Sequence, residues 1–150
     1  MEHHWDHYLC KMGDDLASIY LDLGLVDGAP LAGYPHHIAM TVPMAKPAEN
    51  GMSTDEEFAD LIALEDGLVA GIDADNSVYA GRLTTRGSRV FYFYATDPDM
   101  LARDISDAME RHPEYAYEIS NRPDPDWEFY FKCLYPSAEV HQRMQNRRLN

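Results

Sequence analysis

Apolar positions recur along this chain with two periods, and the change from one to the other marks its elements. In residues 5–12, Tyr8, Cys10 and Met12 alternate with polar neighbours. Gly13-Asp14-Asp15 then supplies turn residues, and Ile19, Leu21 and Leu23 share one side of residues 17–23. This pattern predicts a β-hairpin. Residues 24–35 hold three glycines and two prolines and read as a loop. Period two returns in residues 36–44, where Ile38, Met40, Val42 and Met44 line one face of a strand.

The period then lengthens. Ser53-Thr54-Asp55-Glu56-Glu57 offers two overlapping capping boxes, Ser53 with Glu56 or Thr54 with Glu57. Phe58, Leu61, Ile62, Leu64, Leu68, Val69 and Ile72 follow at helical spacing. Residues 78–84 and 89–95 read as strands joined by a turn at Thr85-Arg86-Gly87-Ser88. Asp97-Pro98 caps a second helix with Leu101, Ile105, Ala108 and Met109 as its stripe, and Pro113 ends it. Tyr115, Tyr117 and Ile119 predict one more strand. A rigid loop over residues 121–126 leads to the aromatic run 127–135, and a short helix over about 137–148 closes the chain.

Residues 36–120 thus run β-α-β-β-α-β. The economical way to bury both stripes is to place both helices on one face of an antiparallel sheet. The expected fold is α+β, a ferredoxin-like domain. It is extended by an N-terminal hairpin and loop (1–35) and by a C-terminal aromatic segment plus short helix (121–150). The chain length of 150 residues suits a single domain over 1–150.

Charge narrows the partners. The net charge is −14, and it is uneven. From Lys132 onward four cations face one acid, so that segment is about +3 and the remainder about −17. Such a body repels phosphate backbones and attracts basic proteins, which makes nucleic acid a poor partner and a basic protein a good one. No apolar run is long enough to span a bilayer. The start, Met1-Glu2-His3-His4-Trp5, has no basic head followed by an apolar stretch, which points to the cytosol. Cys10 and Cys133 are then expected to remain reduced.

Several segments carry a family likeness. Trp5-Asp6…Tyr8, Ala17-Ser18-Ile19-Tyr20-Leu21-Asp22-Leu23, Glu65-Asp66 and Tyr79-Ala80-Gly81-Arg82-Leu83-Thr84 come first. Arg89-Val90-Phe91-Tyr92-Phe93-Tyr94, Asp126-Trp127-Glu128-Phe129-Tyr130 and Leu134-Tyr135-Pro136 complete the set. On these the chain resembles a bacterial family catalogued only as domain of unknown function 695. That resemblance implies no activity. The layout is also similar, in fold and charge alone, to the acidic regulator of ribonuclease E activity B. The chain lacks the long acidic tail that such regulators can carry.

Motifs for chemistry are scarce. The histidines His3, His4, His7, His36 and His37 complete no tetrahedral metal set with the two scattered cysteines. No nucleophile elbow or phosphate-binding glycine loop occurs. We therefore expect no metal, no cofactor and no catalytic residue, and a binding module rather than an enzyme. Glu65 lies beside the apolar helix stripe, and a buried carboxylate there needs a cation such as Arg82 or Arg89. Arg82, Arg86 and Arg89 cluster around the strand turn. If the sheet face away from the helices were open, Tyr92 and Tyr94 would form a base-stacking platform for single-stranded RNA; coverage by the N-terminal hairpin or by the aromatic C-terminal segment is the simpler outcome. Trp127, in a proline-stiffened turn, reads as an interface anchor or as a lock on the core. Glu65, Arg82, Arg89, Tyr92, Tyr94 and Trp127 are accordingly the candidate binding residues. The leading function is protein binding, including regulation of a basic nuclease or toxin. The alternatives are a small-ligand or enzyme pocket built from Arg, Glu and Tyr, and RNA binding on the sheet.

Overall fold

The computed structural model describes residues 2–149 and is built on one six-stranded antiparallel sheet. Its strands are β1 (Trp5–Met12), β2 (Asp15–Asp22), β3 (His36–Pro43), β4 (Ser77–Thr85), β5 (Ser88–Ala95) and β6 (Glu118–Pro123). They lie in the order β1-β2-β4-β5-β3-β6. Helices α1 (Asp55–Gly71) and α2 (Pro98–Met109) connect β3 to β4 and β5 to β6, and α3 (Ala138–Leu149) ends the chain. The fold is α+β, as the periodicities require.

Alternation along the strands sorts the core into two layers. Ile38, Met40 and Val42 of β3 and Phe91 and Phe93 of β5 face α1 and α2. They bury Leu61, Leu64 and Leu68 of the first helix and Leu101, Ile105 and Met109 of the second. The opposite pleats carry Tyr92 and Tyr94, which join Tyr8, Ile19 and Leu21 beneath Trp127, Tyr130, Leu134 and Met144. The C-terminal aromatic segment, with its π-helical turn Tyr130–Leu134, therefore covers much of the second face. Three tyrosine hydroxyls fasten it. Tyr94 donates to Asp124 Oδ2 at 2.7 Å, Tyr8 to the Leu134 carbonyl at 2.7 Å, and Tyr130 to the Asp22 carbonyl at 2.7 Å.

Two local expectations are corrected. The last strand runs over Glu118–Pro123 rather than around residues 115–119, so Asn121, Arg122 and Pro123 belong to β6 and not to a loop. An edge strand tolerates Pro123 because its missing N–H is not required by a second neighbour. Tyr115 instead turns inward and donates its hydroxyl to Glu57 Oε2 at 2.6 Å. That contact helps to explain why the Thr54–Glu57 capping box does not form; the Ser53–Glu56 box fails because Ser53 lies before the N-cap and Glu56 pairs with Lys46 Nζ at 2.7 Å. Thr54 is the N-cap of α1 without a side-chain cap bond, and the Glu57 carboxylate accepts the amides of Ala45 and Lys46 at 2.7 Å each.

Candidate functional site

The hairpin β1–β2 widens the sheet beyond what two helices can roof. On the helix side this leaves a cleft of about 480 Å³ between α1 and the strands β1, β2 and β4. Its walls are Ile62, Asp66, Val69 and Ala70 from α1, and its floor is Trp5, Tyr20, Tyr79 and Arg82, with Glu65 between them. Phe58, Ile62, Glu65 and Val69 recur at helical spacing, so they form one stripe along the side of α1. Although the spacing alone assigns Phe58 and Val69 to the core, they are 52% and 48% exposed. Leu9, on β1, is 54% exposed.

Glu65 is the polar centre of this cleft. It is only 7% exposed, and both carboxylate oxygens are engaged. Tyr79 donates its hydroxyl to Oε2 at 2.7 Å, and Arg82 Nη1 donates to Oε1 in a short ion pair. The Arg82 guanidinium lies 4.4 Å from the centroid of Tyr20, whose ring stacks on Trp5 at 5.0 Å. Trp5 in turn sits 5.2 Å from Tyr79, which closes an aromatic ring around the ion pair. Burial, followed by the nearby Glu65 charge, pushes the Tyr79 hydroxyl well above its usual pKa, so it remains a proton donor.

Local backbone geometry makes this convergence possible. Residues three apart on a regular strand point to opposite faces. The register between β4 and β5 slips between Tyr79 and Gly81, forming a bulge that lets both Tyr79 and Arg82 reach Glu65. A side chain at Gly81 would meet the Tyr20 carbonyl oxygen at 2.6 Å, so close approach to β2 requires glycine.

The other candidate residues lie elsewhere. Arg89 is buried on the same sheet face but does not pair with Glu65. Its Nε donates to Thr84 Oγ1 at 3.1 Å and its Nη2 to Ser53 Oγ at 3.4 Å, while Nη1 has no partner among the described residues. Burial and the neighbouring Arg82 pull its pKa down to about 10, which leaves it cationic at neutral pH. Tyr92, Tyr94 and Trp127 occupy the opposite sheet face. Trp127 is fully buried, stacked on Tyr94 at 3.9 Å, with its indole N–H donated to the Tyr34 carbonyl at 3.0 Å. It holds the C-terminal segment onto the sheet, and although it lies in the turn after β6 it is buried rather than presented to a partner. Trp5, Tyr20 and Tyr79 lie in segments that carry the family likeness but are not among the candidate binding residues the sequence suggests. The isolated Gly81 within a strand pattern was the available signal, because such a glycine marks a bulge or a close approach.

Chemically, the Glu65–Arg82–Tyr79 group is a closed network. Both oxygens of its carboxylate are bonded, its cation is paired, and its phenol keeps its proton. It shapes a cleft and presents aromatic rings beside the exposed Asp66 carboxylate. The chain belongs to a family of unknown function, DUF695, whose model matches residues 3–135 and so takes in every residue of this cleft. No curated protein and no solved structure matches it.

Proposed function

Starting from that membership, we propose that the chain is a protein-binding module that seats a basic segment of a partner in the cleft beside α1. An anchoring Lys or Arg side chain lies along Ile62, Val69 and Ala70, with its charge near Asp66 and the face of Trp5. The observation that carries this reading is the character of α1. It holds six carboxylates and no Lys or Arg, yet it exposes Val69 beside an aromatic floor and Phe58 further along the same stripe. Apolar contact supplies affinity, and the surrounding negative field selects a cationic partner and speeds its arrival. Glu65, buried and bonded at both oxygens, favours binding over proton transfer as the role of this cleft.

The ferredoxin-like core, the acidic regulator analogy and the division into hairpin (1–35), core (36–120) and extension (121–150) belong to the same proposal. Their support is the order β4-β5-β3-β6, with α1 and α2 packed on one face of a sheet that the hairpin continues. A basic nuclease or toxin, held in check by this chain, is the partner that fits best.

The test is capture of partners on the immobilised protein, eluted by raising salt from roughly 50 to 500 mM, a range that screens surface charge. The wild-type chain retains a basic protein that salt releases, and Val69→Glu and Asp66→Lys each lose it. A partner retained equally by both variants, or one indifferent to salt, overturns the proposal.

A further inference from the structure

The second sheet face is not wholly covered. Beyond the C-terminal segment, β3, β5 and β6 leave a separate cavity of about 380 Å³, with His37, Thr41, Tyr92, Ser120, Arg122 and Phe129 in its lining. Three features set it apart from ordinary surface. The first is aromatic: Phe129 lies 4.4 Å from the His37 ring and 4.5 Å from Tyr92, so three ring systems meet at one wall. The second is charge. Arg122 is the only Lys, Arg, Asp or Glu in the lining, and its guanidinium sits 5.6 Å from the Phe129 centroid. A lone cation over a ring, in a protein of net charge −14, is a local exception in sign.

The third feature is an unmet hydrogen bond. His37 is 3% exposed, yet its Nε2 has no partner among the described residues. A buried polar nitrogen without a partner is costly, so this wall of the cavity is held in place at the expense of a hydrogen bond.

We propose that this cavity binds a small planar aromatic anion: one ring system carrying a single carboxylate or phosphate. The ring packs against Phe129 and Tyr92, and the anionic group takes Arg122 as its counter-ion. The hydroxyls of Thr41 and Ser120 meet the remaining polar atoms. One cation matches one anionic group, and aromatic walls without apolar depth suit a flat ring better than a flexible chain. The site lies on the opposite face from the α1 cleft, so it stands or falls separately from the protein-binding role.

The experiment uses the full chain, isotopically labelled, titrated with 2-naphthoate and with its neutral analogue 2-naphthamide while amide shifts are followed by NMR. The expected result is movement of the amides of Ala39, Thr41, Ser120 and Arg122. Wild type should prefer the carboxylate by about fivefold, the scale of one partly exposed ion pair. Arg122→Gln, at an exposed edge position, removes the preference and leaves amide binding intact. Val69→Glu, on the other face, changes neither. Equal affinity of wild type for the two probes overturns the proposal, as does a preference that survives Arg122→Gln. Shifts confined to the neighbouring cavity lined by Cys10 and Cys133, or no shift at millimolar probe, overturn it as well.

Discussion

Tyr79 of β4 donates its hydroxyl to the Glu65 carboxylate of α1 at 2.7 Å, and this bond fastens the helix to the part of the sheet that the helices do not roof. The other Glu65 oxygen is held by Arg82, two residues beyond the bulge. Helix position, bulge and cleft are therefore one mechanical unit. Removing either donor leaves a buried carboxylate short of a partner.

Tyr79→Phe should cost about 1–2 kcal/mol, since it deletes one hydrogen bond to a buried charged group. Glu65→Gln should cost more, about 2–3 kcal/mol, because Arg82 then lacks its counter-charge in a site that is only partly open to water. Urea denaturation measures both. In the double variant the losses should fall short of additivity, since the two groups share one network.

Gly81→Ala should destabilise the chain by about 1–3 kcal/mol, the usual scale for forcing a methyl into a filled space. Its Cβ would press on the Tyr20 carbonyl and part β2 from β4. The same urea titration reports the loss. Quenching of Trp5 fluorescence, read in a Trp127→Phe background, should change with it because Trp5 stacks on Tyr20.

The sequence exposes the helices, the first five strands and the division of faces because these follow from period; β6 (Glu118–Pro123) starts later than the alternation of Tyr115, Tyr117 and Ile119 suggests, because Tyr115 is drawn inward to Glu57. Phe91 and Phe93 against Tyr92 and Tyr94 had to part on alternate pleats, and they do. Glu65 was legible as a buried acid in need of a cation. Its choice of Arg82 over Arg89 was not, because a one-residue bulge decides which side chains share a face. Likewise, helical spacing could not show that Phe58 and Val69 overhang a sheet wider than its roof. That depends on the hairpin adding two strands beside β4, a pairing between residues some sixty positions apart.

Stability should fall with acid in a defined window. Burial, and then Arg122, lower the His37 pKa to about 4, against about 6.5 for a free imidazole. The unfolded chain therefore takes up a proton at His37 that the folded chain refuses. The stability this group contributes is complete above pH 6.5 and declines as pH falls towards 4. Between pH 7 and pH 5 the loss should be about 2 kcal/mol, at 1.36 kcal/mol per pH unit below 6.5. His37→Phe should flatten that part of the profile in denaturation experiments at the two pH values.

A second acid-sensitive group acts lower. Burial raises the Asp124 pKa, but bonds from the Tyr94 hydroxyl and the amides of Phe129 and Glu128 outweigh it and hold the carboxyl below its usual value. Its contribution is present above the ordinary carboxylate pKa and is lost as pH falls through the depressed one. Asp124→Asn should remove this low-pH component and loosen the segment that Trp127 anchors. Limited proteolysis after residue 124 is the readout.

The central claim is that the cleft between α1 and the β1–β2 extension is the face a basic partner occupies. Amide hydrogen exchange on the chain alone and with the salt-released partner rebound tests it most directly. With the partner seated in the cleft, exchange slows over residues 58–70 and 5–9, and α2 and β6 are unchanged. Protection confined to α2 or β6, with the cleft exchanging as it does in the free chain, would contradict it.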